Sequence, residues 1–406
     1  MATFILDIVY KVIQRLSTAI FTFGVVNLLI LLFVLTGAKR GKKSVQVYCN
    51  TLLLWTVGKE IMSMKRVFIL GTLLVFMLGT TGSYAGTGRT AAQFLSLGGG
   101  TRAAGMGDTF TAVSGDVIAA FWNPGGLASI SEMQMTVSYT NYAAMFGEAS
   151  EGMYYGLTAF AMPVRDWGVL GTSLQLQDQG TMVITTDSPE PVGEADLGMN
   201  WAWALCYADE ISDSLLAGVN AKIIHQKLWT ESDTAYAADI GVQYAMSAVP
   251  LSIGAALQNL GTGIQMTDEY QAQPLPRNLR FGLALRLVDT PAHRFQIVSD
   301  YTSFVDKLSE AEEDKENPDF DAKKAGVGVY AFLPENSQRG LGAEYWYSNA
   351  LGVRVGYKYV PDMPGKHITM GFSVRYSGYQ IDYARVPGID VPGGSDIDKV
   401  ALLFRF

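Results

Sequence analysis

Three histidines, His225, His293 and His367, are the side chains best suited to metal binding or proton transfer, and they stand far apart with no His-Glu-x-x-His spacing. No Gly-x-Ser-x-Gly elbow presents a nucleophilic serine. A barrel enzyme can hide a Ser/His pair without that elbow, and His367 falls on the polar side of an alternating segment, but a lone histidine there is read as structural. The glycines of residues 98–107 (GGGTRAAGMG) lack the Gly-x-x-x-x-Gly-Lys-Ser/Thr order that cradles nucleotide phosphates. Two cysteines, Cys49 and Cys206, are too few for a disulfide scaffold. With 30 basic against 38 acidic residues, net charge -8, a general electrostatic grip on nucleic acid is not expected. The sequence therefore predicts no catalytic, metal or cofactor-binding residues, and no cofactor. Its interesting charges are Arg280, Arg286, Glu344, Arg354, Lys358, Arg375 and Asp382, joined by Lys222 and Arg405. They read either as an internal salt-bridge network or as a conduction path or ligand anchor.

What places those charges together is a period of two. In Leu351–Tyr359, Leu351, Val353, Val355, Tyr357 and Tyr359 share one face while Gly352, Arg354, Gly356 and Lys358 share the other. The same alternation sets Leu279, Phe281, Leu283 and Leu285 against Arg280, Gly282, Ala284 and Arg286. It sets Ile368, Met370, Phe372 and Val374 against Thr369, Gly371, Ser373 and Arg375. About 15 such segments run from Met133 to Phe406, the weakest at Thr181 to Thr185. A soluble sandwich would show water a heavily charged face, whereas here the second face is glycine, serine, alanine and single charges. That composition suits a lumen, with the apolar face turned to lipid. The expected fold is all-β: a transmembrane outer-membrane β-barrel of about 14 antiparallel strands, an even number as bacterial barrels have. Tyr139, Tyr142, Tyr155, Trp201, Trp203, Trp229, Tyr345, Tyr347, Tyr357 and Tyr359 fall toward segment ends, as interfacial girdles do. Val400, Leu402, Phe404 and Phe406 share a face at the very end of the chain. A terminal aromatic in that register resembles the signature by which the barrel assembly machinery recognises its substrates, which makes Phe406 the expected assembly signal.

Processing signals divide the rest. Met64 to Ala85 reads as a signal peptide: Lys65 and Arg66, an apolar run from Val67 to Leu78, and an exit at Ser83-Tyr84-Ala85. Residues 1–63 are then an upstream extension, either preceding the true start or holding a transmembrane helix at about 19–35 that Lys39, Arg40, Lys42 and Lys43 follow. The mean hydropathy of +0.17 comes from this leader, and residues 86–406 carry 21 basic and 36 acidic residues, net -15. The expected organisation is extension 1–63, signal peptide 64–85, an N-terminal segment 86–130 and a barrel 131–406. The run from Val305 to Lys324, with eight acidic and four basic residues, reads as a long solvated extracellular loop without EF-hand spacing.

The Gly/Ala-rich segment before the first strand carries a family resemblance. Residues 98–107, Asp108 to Ala112, and Asp116 through Phe121, Trp122, Asn123, Pro124, Gly125, Gly126 and Leu127 resemble the start of the PorV/PorQ family of outer-membrane proteins, itself similar to the FadL transporters. Gln258-Asn259-Leu260-Gly261, Leu275-Pro276-Arg277 and Gly342 to Tyr347 agree with it. Those families usually read Asn-Pro-Ala-Gly, and this chain has Asn-Pro-Gly-Gly. The resemblance implies a hatch inside the lumen, with Trp122, Asn123, Pro124 and Gly125 as its motif. It also implies a non-enzymatic barrel that serves type IX secretion, with secretion components or cargo proteins as partners beside outer-membrane lipid. The alternative is a FadL-like passive transporter with a hydrophobic ligand.

Overall fold

The computed structural model describes residues 90–142, 152–185, 191–246, 249–267, 272–304, 337–360, 368–387 and 396–406. The leader, His367 and the acidic run from Val305 to Lys324 lie outside them, so the signal peptide and the extension have no structural counterpart here. No helix among the described residues is long and apolar enough to cross a membrane.

Alternation becomes strands: β1 (Gln134–Asn141), β2 (Tyr154–Val164), β3 (Gly168–Asp178), β4 (Thr181–Thr185), β5 (Pro191–Asp196) and β6 (Met199–Ser212). They continue as β7 (Leu215–Leu228), β8 (Glu231–Ala245), β9 (Leu251–Gly261), β10 (Asn278–Asp289) and β11 (His293–Phe304). The last five are β12 (Ser337–Tyr347), β13 (Leu351–Tyr359), β14 (Ile368–Tyr376), β15 (Tyr379–Val386) and β16 (Ile397–Arg405). Fourteen of these close an antiparallel barrel in which sequential neighbours pair and β1 meets β16. The remaining two, β4 and β5, form a separate hairpin between β3 and β6, which accounts for Thr181–Thr185 being the weakest segment in sequence. Closure runs from Gln134 opposite Arg405 to Thr140 opposite Lys399, and the Phe406 N–H extends it by donating to the Met133 carbonyl at 3.0 Å.

The outer face is apolar because lipid requires it: Val353, Val355, Met370, Phe372, Val374, Val400 and Leu402 are all exposed. Two aromatics expected in the girdle depart from it. Tyr155 falls on the same side of β2 as Leu157, Ala159 and Ala161, so it is buried inward and its hydroxyl accepts from Gln175 Nε2 at 3.0 Å. Tyr142 packs edge-on against it.

The two ends differ. Tight connections at 165–167, 213–214, 246–250, 290–292, 348–350 and 377–378 mark one end, and the other carries the long ones at 142–153, 179–198, 262–277, 305–336, 360–367 and 387–396 with one tight turn at 229–230. In outer-membrane barrels short turns face the periplasm. Residues 90–130 enter the lumen as short helical turns over Gln93–Ser96, Thr101–Ala104, Ala119–Trp122 and Pro124–Ser129. Met106, Phe110, Val117, Trp122 and Leu127 are buried there in one core with Ala159, Ala204, Cys206 and Leu403 of the wall.

Candidate functional site

The lumen is built around backbone-to-backbone approach. Gly254 of β9 and Gly356 of β13 point at the hatch so closely that a Cβ on either would overlap main-chain atoms, the Thr111 carbonyl oxygen for the first and the Gly107 nitrogen for the second. Gly218 stands in the same way against the Pro124 main chain, and Gly241 makes room for the Asn123 side chain. The glycine that alternation places on the inner face is thus what lets a second layer of chain fit inside a 14-stranded wall.

The Trp-Asn-Pro segment forms the joint of that layer. Pro124 starts a turn whose cap is Asn123, its side-chain oxygen accepting from Gly125 N at 3.1 Å. Asn123 Nδ2 donates to the Thr111 carbonyl at 2.8 Å and to the Val242 carbonyl of β8 at 2.9 Å, so one amide ties turn, hatch and wall. Trp122 Nε1 donates to the Gly99 carbonyl at 2.5 Å, and the Arg280 guanidinium lies 4.6 Å from its ring centroid. Asn123→Ala removes the cap and both bonds from Nδ2, leaving Gln243 Nε2 as the side-chain donor to the Thr111 carbonyl. Its expected cost is about 2–3 kcal/mol, read as a lower urea midpoint at unchanged m-value.

Charges gather at two levels. Toward the short-turn end, Arg102 of the hatch donates from Nε and Nη2 to the two carboxylate oxygens of Glu344 at 2.8 and 2.6 Å, and from Nη1 to Asp116 at 2.8 Å. Arg354 Nε donates to Glu344 at 2.7 Å, and its Nη1 reaches Ser373 at 2.6 Å and Asp382 at 3.5 Å. Gln380 Nε2 donates to both Asp382 oxygens. Toward the long-loop end, Lys358 Nζ meets Asp108 at 2.6 Å, and Asp300 accepts from Phe110 N, Thr111 N and the Thr111 hydroxyl at 2.7–2.8 Å. Burial pushes the Asp108 carboxyl up, but Lys358, Lys399 and Arg280 outweigh it and hold it below the usual carboxylate range. A third tie sits on β7–β9: Lys222 meets Asp239 at 2.7 Å, and Asp239 accepts from Asn220 and from the backbone N of Asn259, at a bulge opposite Asp239.

Of the charges singled out in sequence, Arg280, Glu344, Arg354 and Asp382 are buried in the lumen, Lys358 is partly buried against Asp108, and Arg375 stands near the short-turn mouth. Arg286 does not join them. It keeps the inner parity of β10 but lies beyond the lumen, half exposed, with Asp289 at 3.7 Å. Sequence reasoning missed Arg102, Asp116 and Asp300. Asp300 carried a signal, as a single carboxylate among the small and polar residues of β11, while the two hatch charges lie in a segment without periodicity. His225 and His293 are outside this network, the first beside Thr234 and the second 2.7 Å from the Tyr345 hydroxyl. Among the described residues no group of metal-ligating side chains converges.

Among the described residues are two lumenal cavities of about 10 Å³ each, one beside Asp108, Trp122, Arg280 and Lys358 and one beside Phe121, Gln175, Lys222 and Asn259. Each has room for about one water, where a ligand pocket takes about 300 Å³ or more. The wall pairs from β2 through β3 to β6 without a register shift.

The family of the type IX secretion system protein PorV matches residues 85–305, more than half of the sequence. The chain belongs to the PorV family. Among solved structures it is similar to the toluene transporter TbuX of Ralstonia pickettii, with 15% identity, TM-score 0.51, and coverage of 76% of this chain and 98% of that one. The toluene transporter TodX of P. putida gives 11% identity, 76% and 99% coverage and TM-score 0.51. The CymD monoaromatic hydrocarbon channel gives 11%, 76% and 98%, and 0.50. A comparison with curated proteins finds no match. These neighbours share this chain's barrel fold, and fold and family together fit the outer membrane. Neither the family description nor the neighbours' names describe an enzyme.

Proposed function

We propose that this chain is a non-enzymatic outer-membrane component of type IX secretion that works through its two mouths and its outer wall, not by conducting through its lumen. The observation that carries this reading is the seated hatch: it is bonded to the wall through Asn123, Arg102 and Asp300, and its main chain lies against the wall glycines Gly218, Gly254 and Gly356. Trp122, Asn123, Pro124 and Gly125 act in it as the hatch motif, and Arg280, Glu344, Arg354, Lys358 and Asp382 as its internal fastening. The signal peptide at 64–85 delivers the chain across the inner membrane. Phe406, exposed and stacked on Phe404, presents the signal to the assembly machinery. The partners are outer-membrane lipid and secretion components or their cargo.

Affinity capture of the full-length chain from its native membrane tests this. Secretion components are expected to co-purify, and a deletion strain is expected to retain their cargo. Loss of uptake of a hydrophobic compound with normal secretion would sink the reading.

The second reading, passive transport of hydrophobic small molecules, is favoured by the fold shared with the toluene transporters. It requires the hatch to leave its seat.

A further inference from the structure

At the short-turn mouth two guanidiniums stand beside carboxylates that already have partners. The deep carboxylates are taken: Glu344 by Arg102, Arg354 and Gln296, Asp382 by Arg354, Ser373 and Gln380, and Asp116 by Arg102 and the Ile118 N–H. Two guanidiniums remain below them, Arg375 of β14 and Arg405 of β16. They converge on a single neutral oxygen, Gln380 Oε1, which accepts from Arg375 Nε and Nη2 at 2.9 and 2.7 Å and from Arg405 Nη1 at 3.0 Å. Gln380 turns its amide nitrogen to Asp382, so it passes on only a dipole where a carboxylate would place a charge. Arg405 has the rim carboxylate of Glu132 at 3.5 Å, half exposed to water. Arg375 has none among the described residues, and its Nη1 bonds to the neutral Asn349 in the 348–350 turn. The Arg375 guanidinium is held over the Trp346 ring, 4.4 Å from its centroid, with the plane of the fork fixed before anything binds.

Two preorganised forks with a shared neutral acceptor make an incomplete anion site, because a guanidinium pair gains most from a carboxylate it can meet bidentately. We propose that Arg375 and Arg405, with Asn349 at the rim, form a docking site for an acidic segment of a protein partner that enters the short-turn mouth. Both arginines lie on the lumen face of their strands, with Ser373 and Leu403, while Val374 and Phe404 face outward. A bilayer headgroup on the outer wall is therefore on the wrong side of the sheet, and a chain segment rising into the mouth is on the right one. The inference adds a contact chemistry to the secretion-component reading and takes from it only that the partner is a protein.

The test uses the full-length chain in detergent and a fluorescein-labelled hexaglutamate peptide at low ionic strength, with hexaglutamine as control and inorganic phosphate as competitor. Hexaglutamate is expected to bind and hexaglutamine not to. R375Q/R405Q is expected to weaken hexaglutamate binding at least tenfold. A gentler variant guards against misfolding: N349D keeps the size of Asn349 and the reach of its oxygen to Arg375, supplies the missing charge from within the chain, and is expected to weaken binding about tenfold. The inference is overturned by unchanged binding in N349D or in a folded R375Q/R405Q, or by phosphate binding as tightly as the peptide, which would make this a site for small anions only. Secretion components co-purifying with the wild-type chain while hexaglutamate ignores the arginine pair would remove this inference and leave the proposed function standing.

Discussion

Glu344→Ala is expected to destabilise the barrel by about 3–5 kcal/mol, the range for breaking a buried ion pair from one side. Its carboxylate answers two guanidiniums at once, and Arg354 has about 1% of its side chain exposed, so water cannot replace what is lost. Equilibrium urea unfolding in micelles, followed by tryptophan fluorescence, measures it. Arg102→Ala leaves Glu344 with Arg354 but takes the guanidinium from buried Asp116, so a cost of similar size is expected. The double substitution should then fall well short of the sum, as it does for residues of one network. A cost below about 1 kcal/mol for Glu344→Ala would mean that the pair sits in hydrated surroundings, as exposed ion pairs do.

Substituting alanine at both Gly254 and Gly356 is expected to unseat the hatch. Each new methyl meets main-chain atoms, so the strain of about 1–3 kcal/mol per site cannot be relieved by turning a side chain. The barrel strands keep their pairing, and the layer inside them must move. In planar bilayers the wild-type chain is expected to stay closed and the double variant to conduct, with current higher by roughly tenfold or more once the constriction is gone. Gly193→Ala serves as control, since nothing lies within 4 Å of the Cβ it would add. Equal conductance in all three would show that the seat does not depend on these contacts. If the variant also admits toluene-sized compounds, the transport reading gains the gate it lacks.

The strands were legible because each answers two solvents at once. Leu351–Tyr359 and Ile368–Tyr376 are strands over the residues where their alternation runs, since lipid selects one side and a crowded lumen the other. Parity, however, fixes only the face and says nothing about height along the barrel. That is why Arg286, correct in parity, ended beyond the lumen, and why Arg375 lies by the mouth and Arg354 deep inside. Pairing was beyond reach for a different reason: Arg102 and Glu344 are 242 residues apart, and only closure of the wall around the hatch brings them together. The Asn-Pro motif was readable from its turn chemistry, whereas its grip on the Val242 carbonyl depends on where β8 passes.

Cys206 is the free cysteine among the described residues, buried on the inner face of β6 in the same core as Leu127 and Ala119 of the hatch. A thiol in that position is a clock. A maleimide can reach it only in the interval when the inner layer has lifted, so the rate of labelling counts openings per unit time without any engineered probe. When labelling is faster than reclosure, the rate reports how often the layer lifts; when it is slower, it reports the fraction of time spent open.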